Sequence, residues 1–152
     1  MNKIINYTLL FLLFLLTNCA YEPVLKNKNY QFSINIVKIN GDKNINSIIS
    51  KNIKKIKEKE KKYDLTLTSN QEKIIISKNS KGDPSIFELQ ININYVVKEN
   101  GKTLIENNIN RKTTYNNITD KFELESYEKT IIQNLSSAIS DDIMLSISHI
   151  NE

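Results

Sequence analysis

Alternation of apolar and polar residues over 87–97, interrupted only at Val96, is the feature of this sequence that most restricts its fold. The apolar members of the segment occupy every second position: Phe87, Leu89, Ile91, Ile93, Tyr95 and Val97. The positions between them include Glu88, Gln90, Asn92 and Asn94. A period of two is typical of a β-strand, because successive side chains point to opposite faces. The chain is therefore predicted to build a sheet with one apolar face and one polar face.

A second strand is predicted directly after this one. Asn100-Gly101 is the favoured dipeptide of a two-residue hairpin turn, since both positions tolerate a positive φ. It indicates hairpin strands over 85–97 and 102–116. The later strand is only weakly apolar, so we predict that it lies at an edge of the sheet.

The segment before the hairpin predicts a strand followed by a helix. Gln31 to Ile39 alternates as a strand, and Asp42 is a good N-cap for a helix that runs to about Lys62. Isoleucines recur along this helix at spacings that place them on one stripe: Ile45, Ile48, Ile49, Ile53 and Ile56.

A further strand and a long helix complete the pattern. The strand begins at Tyr63 and resumes at Ile74 to Ile76, with a change of apolar phase near residues 69–72 that suggests a bulge or a bend. Asp120 followed by Glu123 fits a capping pattern for a helix from Phe122 onwards. Its apolar positions are Leu124, Tyr127, Ile131, Leu135, Ala138, Ile139, Ile143, Ile147 and Ile150.

The order of elements is β-α-β-β-β-α, which predicts an α+β two-layer sandwich. We expect a four-stranded mixed sheet with two helices on its one apolar face, because both apolar helix stripes need that face. Residues 30–152 form a single domain in this interpretation. Four helix residues are predicted to face residues 87–93 of the sheet: Ile48, Ile53, Ile131 and Leu135.

The first 18 residues are typical of an export signal. Lys3 is followed by an apolar run from Tyr7 to Leu16, which is shorter than the about 20 residues that span a membrane. The run ends in Leu16-Thr17-Asn18-Cys19, which resembles the bacterial lipobox, although Asn18 stands where that motif usually has Gly, Ala or Ser. The resemblance implies a lipid on the Cys19 thiol. The following segment to Asn29 is polar and has no period, so residues 19–29 are predicted to be a tether between lipid and domain. Two alternatives remain for the apolar run. It is a core helix, or it is an ordinary secretory leader that is followed by an incidental cysteine.

Few residues are available for catalysis or for metal binding. One histidine, one cysteine and no tryptophan exclude most sites built from paired His or Cys, and three glycines give no phosphate-cradling loop. His149 is interpreted as an incidental surface histidine. The acidic residues of helix two are interpreted as its solvated face rather than as acid/base pairs: Glu123, Glu125, Glu128, Asp141 and Asp142. We predict a protein that is not an enzyme and uses no cofactor or metal.

Positive charge is concentrated between Lys51 and Lys62, in a chain of net charge +4. Two interpretations remain open. The lysines form the solvated face of helix one, whose C-terminal end they complement, or they bind an anionic partner. Nucleic acid is not expected for an exported lipoprotein, so that partner would be a phosphorylated lipid or an acidic protein surface.

With leader, tether, strand order and long C-terminal helix assembled, the whole chain resembles the LPS-assembly lipoprotein family (LptE). The matching features are Cys19 followed by Pro23, Gly41-Asp42 before helix one, Tyr63-Asp64-Leu65 and the two hairpin strands. The resemblance implies a lipoprotein inside the lumen of an LptD-type outer-membrane β-barrel. It implies help in assembling that barrel and in inserting lipopolysaccharide into the outer leaflet. Ala20, where an inner-membrane lipoprotein often has Asp, implies delivery to the outer membrane.

The resemblance also implies a lipopolysaccharide-binding site. Its basic residues fall near the loop between the strand that begins at Tyr63 and the strand over 85–97, and near the start of the long helix from Phe122, which gives Lys78, Lys81 and Lys121 here. We predict that the three cluster at the end of the domain away from the tether, although each is also interpretable as a scattered surface lysine. The competing function is a free outer-membrane lipoprotein that binds a lipid or a periplasmic solute in an apolar cleft between helices and sheet.

Overall fold

The computed structural model describes residues 30–53 and 59–150. The elements are β1 (Phe32–Gly41), α1 (Lys43–Ile53), β2 (Lys61–Lys78), β3 (Pro84–Glu99), β4 (Lys102–Asn116) and α2 (Lys121–Ser148). The strands form one sheet in the order β1-β2-β3-β4. β1 and β2 are parallel and the other pairs are antiparallel. The predicted α+β architecture with a mixed four-stranded sheet is confirmed. The leader, Cys19 and the whole tether over residues 19–29 lie outside the described residues.

The polar and apolar faces of the sheet follow the alternation of β3. All six apolar residues of its 87–97 segment are buried, and Leu89, Ile91 and Ile93 have no exposed surface. α1 contacts β1, α2 contacts β3 and β4, and the two helices contact each other. The buried residues of both helices and of the sheet join one apolar core.

The turns form as the sequence predicts. Asn100 has φ of 49° and Gly101 of 81°, so the hairpin has positive φ at both central positions. The Asp42 carboxylate accepts the backbone N–H groups of Asn44 at 2.9 Å and of Ile45 at 3.0 Å, which caps α1. Asp120 caps α2 in the same way, accepting from Phe122 and Glu123.

The prediction that helix one continues to about Lys62 is wrong. α1 is described to Ile53, and Lys61 and Lys62 belong to β2. There they lie opposite Phe32 and Ser33 of β1, so parallel pairing with the first strand determines their conformation rather than helix propensity. Residues 54–58 lie outside the described part of the chain.

The bulge predicted near residues 69–72 is also misplaced. The register between β2 and β3 is continuous from Asp64 to Ile75, and the irregularity lies between Ile75 and Lys78. The change in apolar phase has a different cause. β1 ends opposite Ser69, and α1 begins two residues after that strand ends, so β2 beyond Ser69 has lost its covering layer and needs no buried stripe.

Two of the four predicted core residues of the helices are buried, and two are only half-buried. Ile53 is 2% exposed and Ile131 is 8% exposed, whereas Ile48 and Leu135 lie at the margin of the core. The buried stripe of α2 runs through Ser136 and Ser140 instead of Leu135. The Asn52 amide donates to Ser140 Oγ at 3.5 Å, so these small side chains admit α1 close to α2.

Candidate functional site

The strands place the three predicted lysines at one end of the domain. We call it the distal end: it comprises the end of β2, the loop 79–83, the end of β4 and the first two turns of α2. Asn117 fastens these parts together, because its backbone N–H donates to Ser85 O and its amide donates to Pro84 O, each at 2.9 Å. The described chain enters at the other end, beside the start of β1.

Lys78, Lys81 and Lys121 are all exposed at the distal end. Lys78 ends β2, and Lys121 is the first residue of α2. Lys81 lies in a loop that Asn79 shapes, since the Asn79 side-chain oxygen accepts the backbone N–H groups of Lys81 and Asp83 at 2.9 Å. The topology thus brings the elements that carry the three lysines together. Their role in binding remains a prediction.

Apolar side chains are exposed at the same end. Among the described residues, six large apolar side chains are exposed, and four of them lie at the distal end: Ile75 (48%), Ile76 (52%), Phe122 (83%) and Tyr127 (46%). Phe122 follows Lys121, and Ile76 is two residues before Lys78. The distal end therefore combines ammonium groups with apolar surface. Sequence reasoning missed these residues, although three consecutive isoleucines in a strand cannot all face one core.

A cluster of three polar side chains ties α2 to the sheet just inside the distal end. Glu128 accepts from the Lys73 ammonium at 2.6 Å and from the Tyr115 hydroxyl at 2.7 Å. The Lys73 ammonium also lies 4.2 Å from the centre of the Phe87 ring. Burial, and then the hydrogen bond to Glu128, raise the pKa of Tyr115 well above its usual range. These contacts hold the first turns of α2, and with them Lys121 and Phe122, in place over β3 and β4.

The acidic residues of α2 are thus not simply its solvated face. Besides Glu128, Asp142 pairs in bidentate fashion with Arg111 of β4, with a shortest distance of 2.7 Å. His149 is exposed and caps the C-terminal end of α2 with its backbone N–H. Within residues 30–53 and 59–150, no group of three His, Cys, Asp or Glu residues is placed to hold a metal ion.

A groove of about 530 Å³ lies between α1 and α2. It is open and mostly polar, and is lined by Asn44, Ser47, Ile48, Lys51, Asn52, Lys129, Gln133 and Ser137. It is therefore not the apolar cleft between helices and sheet that a lipid carrier would need. Of the predicted lysine run, Lys51 lines this groove and Lys61 and Lys62 lie on β2, whereas Lys54, Lys55 and Lys57 lie outside the described residues.

The chain shares its fold with solved bacterial lipoproteins. Rare lipoprotein B from Shewanella oneidensis is 14% identical, with a TM-score of 0.59 over 75% of this chain and 96% of that chain. Lipoprotein B from Nitrosomonas europaea is 13% identical, with a TM-score of 0.60 over 83% and 91%. A minor lipoprotein from Acinetobacter baumannii is 8% identical, with a TM-score of 0.52 over 78% and 95%. At these identities the likeness shows the fold alone.

No protein-family model and no curated protein matches the sequence. None of the helices in the described ranges combines the length and the apolar character needed to cross a bilayer. The class that the comparisons support is that of proteins with a lipoprotein B-like α+β fold.

Proposed function

We propose that this protein is an outer-membrane lipoprotein that plugs and helps assemble an LptD-type β-barrel and assists lipopolysaccharide insertion into the outer leaflet. It acts without enzymatic activity, anchored through Cys19 and facing the periplasm within the barrel lumen. The observation that carries the proposal is a fold shared with solved lipoproteins over three quarters or more of the chain, on a sequence that begins with a lipobox-like leader.

The polar outer face of the sheet supports the proposal that the domain plugs a barrel. No described helix covers this face, which carries cross-strand amide pairs: Asn108 donates to Asn94 at 2.8 Å, and Asn110 donates to Asn92. The interior of a transmembrane barrel is polar. The paired amides of this face offer hydrogen bonds to such a wall.

The composition of the distal end supports lipopolysaccharide as the proposed substrate. Lipopolysaccharide combines phosphate groups with acyl chains, so its binding surface needs cations beside apolar side chains. Lys121 beside Phe122, and Lys78 beside Ile76, supply both within one end of the domain. The polar α1–α2 groove does not favour the alternative of a carrier with an apolar cavity.

Affinity purification of the intact lipoprotein from membranes tests the partner. Mass spectrometry of the purified material should identify one large outer-membrane β-barrel that resists a salt wash. Recovery of the lipoprotein without a barrel, and with a bound lipid or solute in its place, would refute the plug and support the free lipoprotein.

The lipid anchor is tested separately. We expect the mature protein to begin at Cys19 and to carry lipid on that residue, because Leu16-Thr17-Asn18-Cys19 closes the apolar run of the leader. Mass spectrometry of the N-terminal peptide measures this, with Cys19→Ser as the control that cannot be modified. An unmodified thiol, or cleavage at another bond, contradicts the prediction.

A further inference from the structure

The distal half of β2 has an edge to which no described strand is paired. β1 ends with Gly41 opposite Ser69, whereas β2 continues to Lys78. Pairing with β3 on the other side stays regular as far as Ile75. Among the described residues, 70–75 therefore form a regular strand that pairs with β3 on one side and with no strand on the other. We call this segment the open edge.

Neither β1 nor α1 extends beside the open edge, and α2 contacts it through the Lys73–Glu128 ion pair. On the inner face of β2, Leu65 and Leu67 have no exposed surface, because α1 and β1 accompany this part of the strand. Farther along the same face, Lys73 and Ile75 are exposed, and Ile75 retains 48% of its surface. The sheet is therefore incomplete at this corner both in its hydrogen bonds and in its apolar packing.

The other two edges of the sheet are protected. β1 has a register irregularity between Ile36 and Lys38, where Val37 points outwards with 60% exposure. β4 carries Arg111 and Lys112, which pair with Asp142 and Glu88. Bulges and charged side chains of this kind are how proteins discourage the addition of further strands. The open edge also carries two charged residues, Glu72 and Lys73, and a register irregularity follows Ile75, but β1 stops short of it and Ile75 is exposed there.

We propose that the open edge binds an extended segment of the barrel that this domain plugs, which joins the sheet as an added strand beside β2. The inference rests on the proposed function. An extended peptide is the one occupant that can pair with a row of unpaired backbone groups. Its side chains would alternate, with apolar residues beside Ile75 on the inner face and polar residues on the outer face.

The length of the domain indicates which part of the barrel reaches the open edge. β2 has 18 residues, which corresponds to roughly 56 Å at about 3.3 Å per residue. The apolar band of an outer-membrane barrel is about 25 Å tall. A domain tethered at its other end thus carries the open edge to the outward side, where the longer loops of such barrels lie.

Hydrogen exchange of the full-length lipoprotein, free in detergent and in the complex purified from membranes, tests strand addition. We expect alternate backbone amides of residues 70–75 to become protected in the complex, since every second N–H of a strand faces the added strand. A side-chain contact alone would not give this alternation. Protection of the same amides already in the free protein would mean that its own chain covers the edge, and would overturn the proposal.

Ile75→Lys and Val37→Lys are matched variants for the binding itself. Both place a charge at an exposed apolar position, one on the open edge and one on the bulge of β1. We expect Ile75→Lys to reduce barrel recovery roughly tenfold, and Val37→Lys to leave it unchanged, with similar thermal unfolding of both proteins. If the wild type retains the barrel and both variants recover it equally, strand addition is refuted. The proposed plug function is not affected by that result. A wild type that retains no barrel would refute both.

Discussion

Glu128 is the residue through which three elements meet. Its carboxylate accepts hydrogen bonds from Lys73 of β2 and from Tyr115 of β4, while Glu128 itself belongs to α2. The Tyr115 ring packs against Phe87 and Tyr127, with ring centres 5.6 and 6.0 Å apart. One side chain therefore couples the start of the long helix to two strands of the sheet.

Tyr115→Phe should change how stability depends on alkaline pH. The usual pKa of this phenol is 10.0, and burial followed by the Glu128 hydrogen bond raises the pKa in the folded protein. The folded state then holds the proton more tightly, so the stability from this group is complete below about pH 10 and is lost as the pH rises further. Urea unfolding from about pH 8 to about pH 11 should show a steeper loss for the wild type than for Tyr115→Phe. Parallel curves would contradict this.

Gly41 is the residue that permits the sharp change from β1 to α1. Its φ is +93°, and a Cβ added at this position would overlap the carbonyl oxygen of Ser69. We expect Gly41→Ala to cost roughly 3 kcal/mol or more, because it combines backbone strain with a clash against backbone. Gly82→Ala is the control: φ is +88° but the space is open, so about 1 kcal/mol is expected. Equal costs in denaturant unfolding would show that the clash is relieved cheaply.

At the scale of elements, the two faces of α1 should differ in their contribution to stability. Ile53 is 2% exposed within the core, whereas Ile48 is half-buried beside the groove. Ile53→Ala should therefore cost about 2 to 5 kcal/mol, and Ile48→Ala clearly less, because a cavity at the margin of a core can fill with solvent or collapse. Urea denaturation of the two variants measures the difference. A larger loss of stability with Ile48→Ala than with Ile53→Ala would show that α1 packs on the core through its Ile48 side, contrary to this prediction.

The elements that sequence reasoning predicted best are those whose signal is local. The alternation of β3, the Asn100-Gly101 turn and the Asp42 and Asp120 caps are properties of a few neighbouring residues, and all four are confirmed. The wrong predictions concern residues whose conformation depends on contacts with a distant part of the chain. Lys61 is in a strand because it pairs with β1, 29 positions earlier.

Contacts with distant parts of the chain also determine which side chains are buried in α2 and at the distal end. Ser136 is buried with no exposed surface, while Leu135 is only half-buried, because close approach of α1 favours a small side chain there over a large one. The exposure of Ile75 and Phe122 depends on where β1 and α1 stop covering the sheet. Three consecutive isoleucines indicate that one of them is exposed, but hydropathy does not show which exposed apolar side chains come together at the distal end.

At the scale of the whole molecule, the domain has two unlike ends. The described chain enters at one end. The other end combines the exposed lysines Lys78, Lys81 and Lys121 with four of the six large apolar side chains that are exposed among the described residues. In the proposed function, a lipid that carries phosphates binds at this second end, which the length of the sheet separates from the end where the described chain begins.

Charge reversal at the distal end tests whether the lipid binds there. We expect Lys78→Glu, Lys81→Glu and Lys121→Glu together to weaken lipopolysaccharide binding by the purified protein roughly tenfold. Three exposed ion pairs at about 0.5 kcal/mol each sum to about 1.5 kcal/mol. The wild-type affinity should also fall with added salt, since exposed charges are screened over about 8 Å at physiological ionic strength. Titration of binding at low and at high salt measures both effects.

The control reverses the same number of exposed lysines elsewhere: Lys38, Lys98 and Lys102. It changes the net charge equally, so a purely long-range attraction between the protein and the lipid would weaken equally in both triple variants. Local contacts would weaken only in the distal one, and thermal unfolding should be nearly unchanged in both, because exposed charges contribute little to stability. Loss of binding in the control alone, or equal loss in the two proteins, would remove the lipid site from the distal end and leave net charge or another set of lysines to account for it.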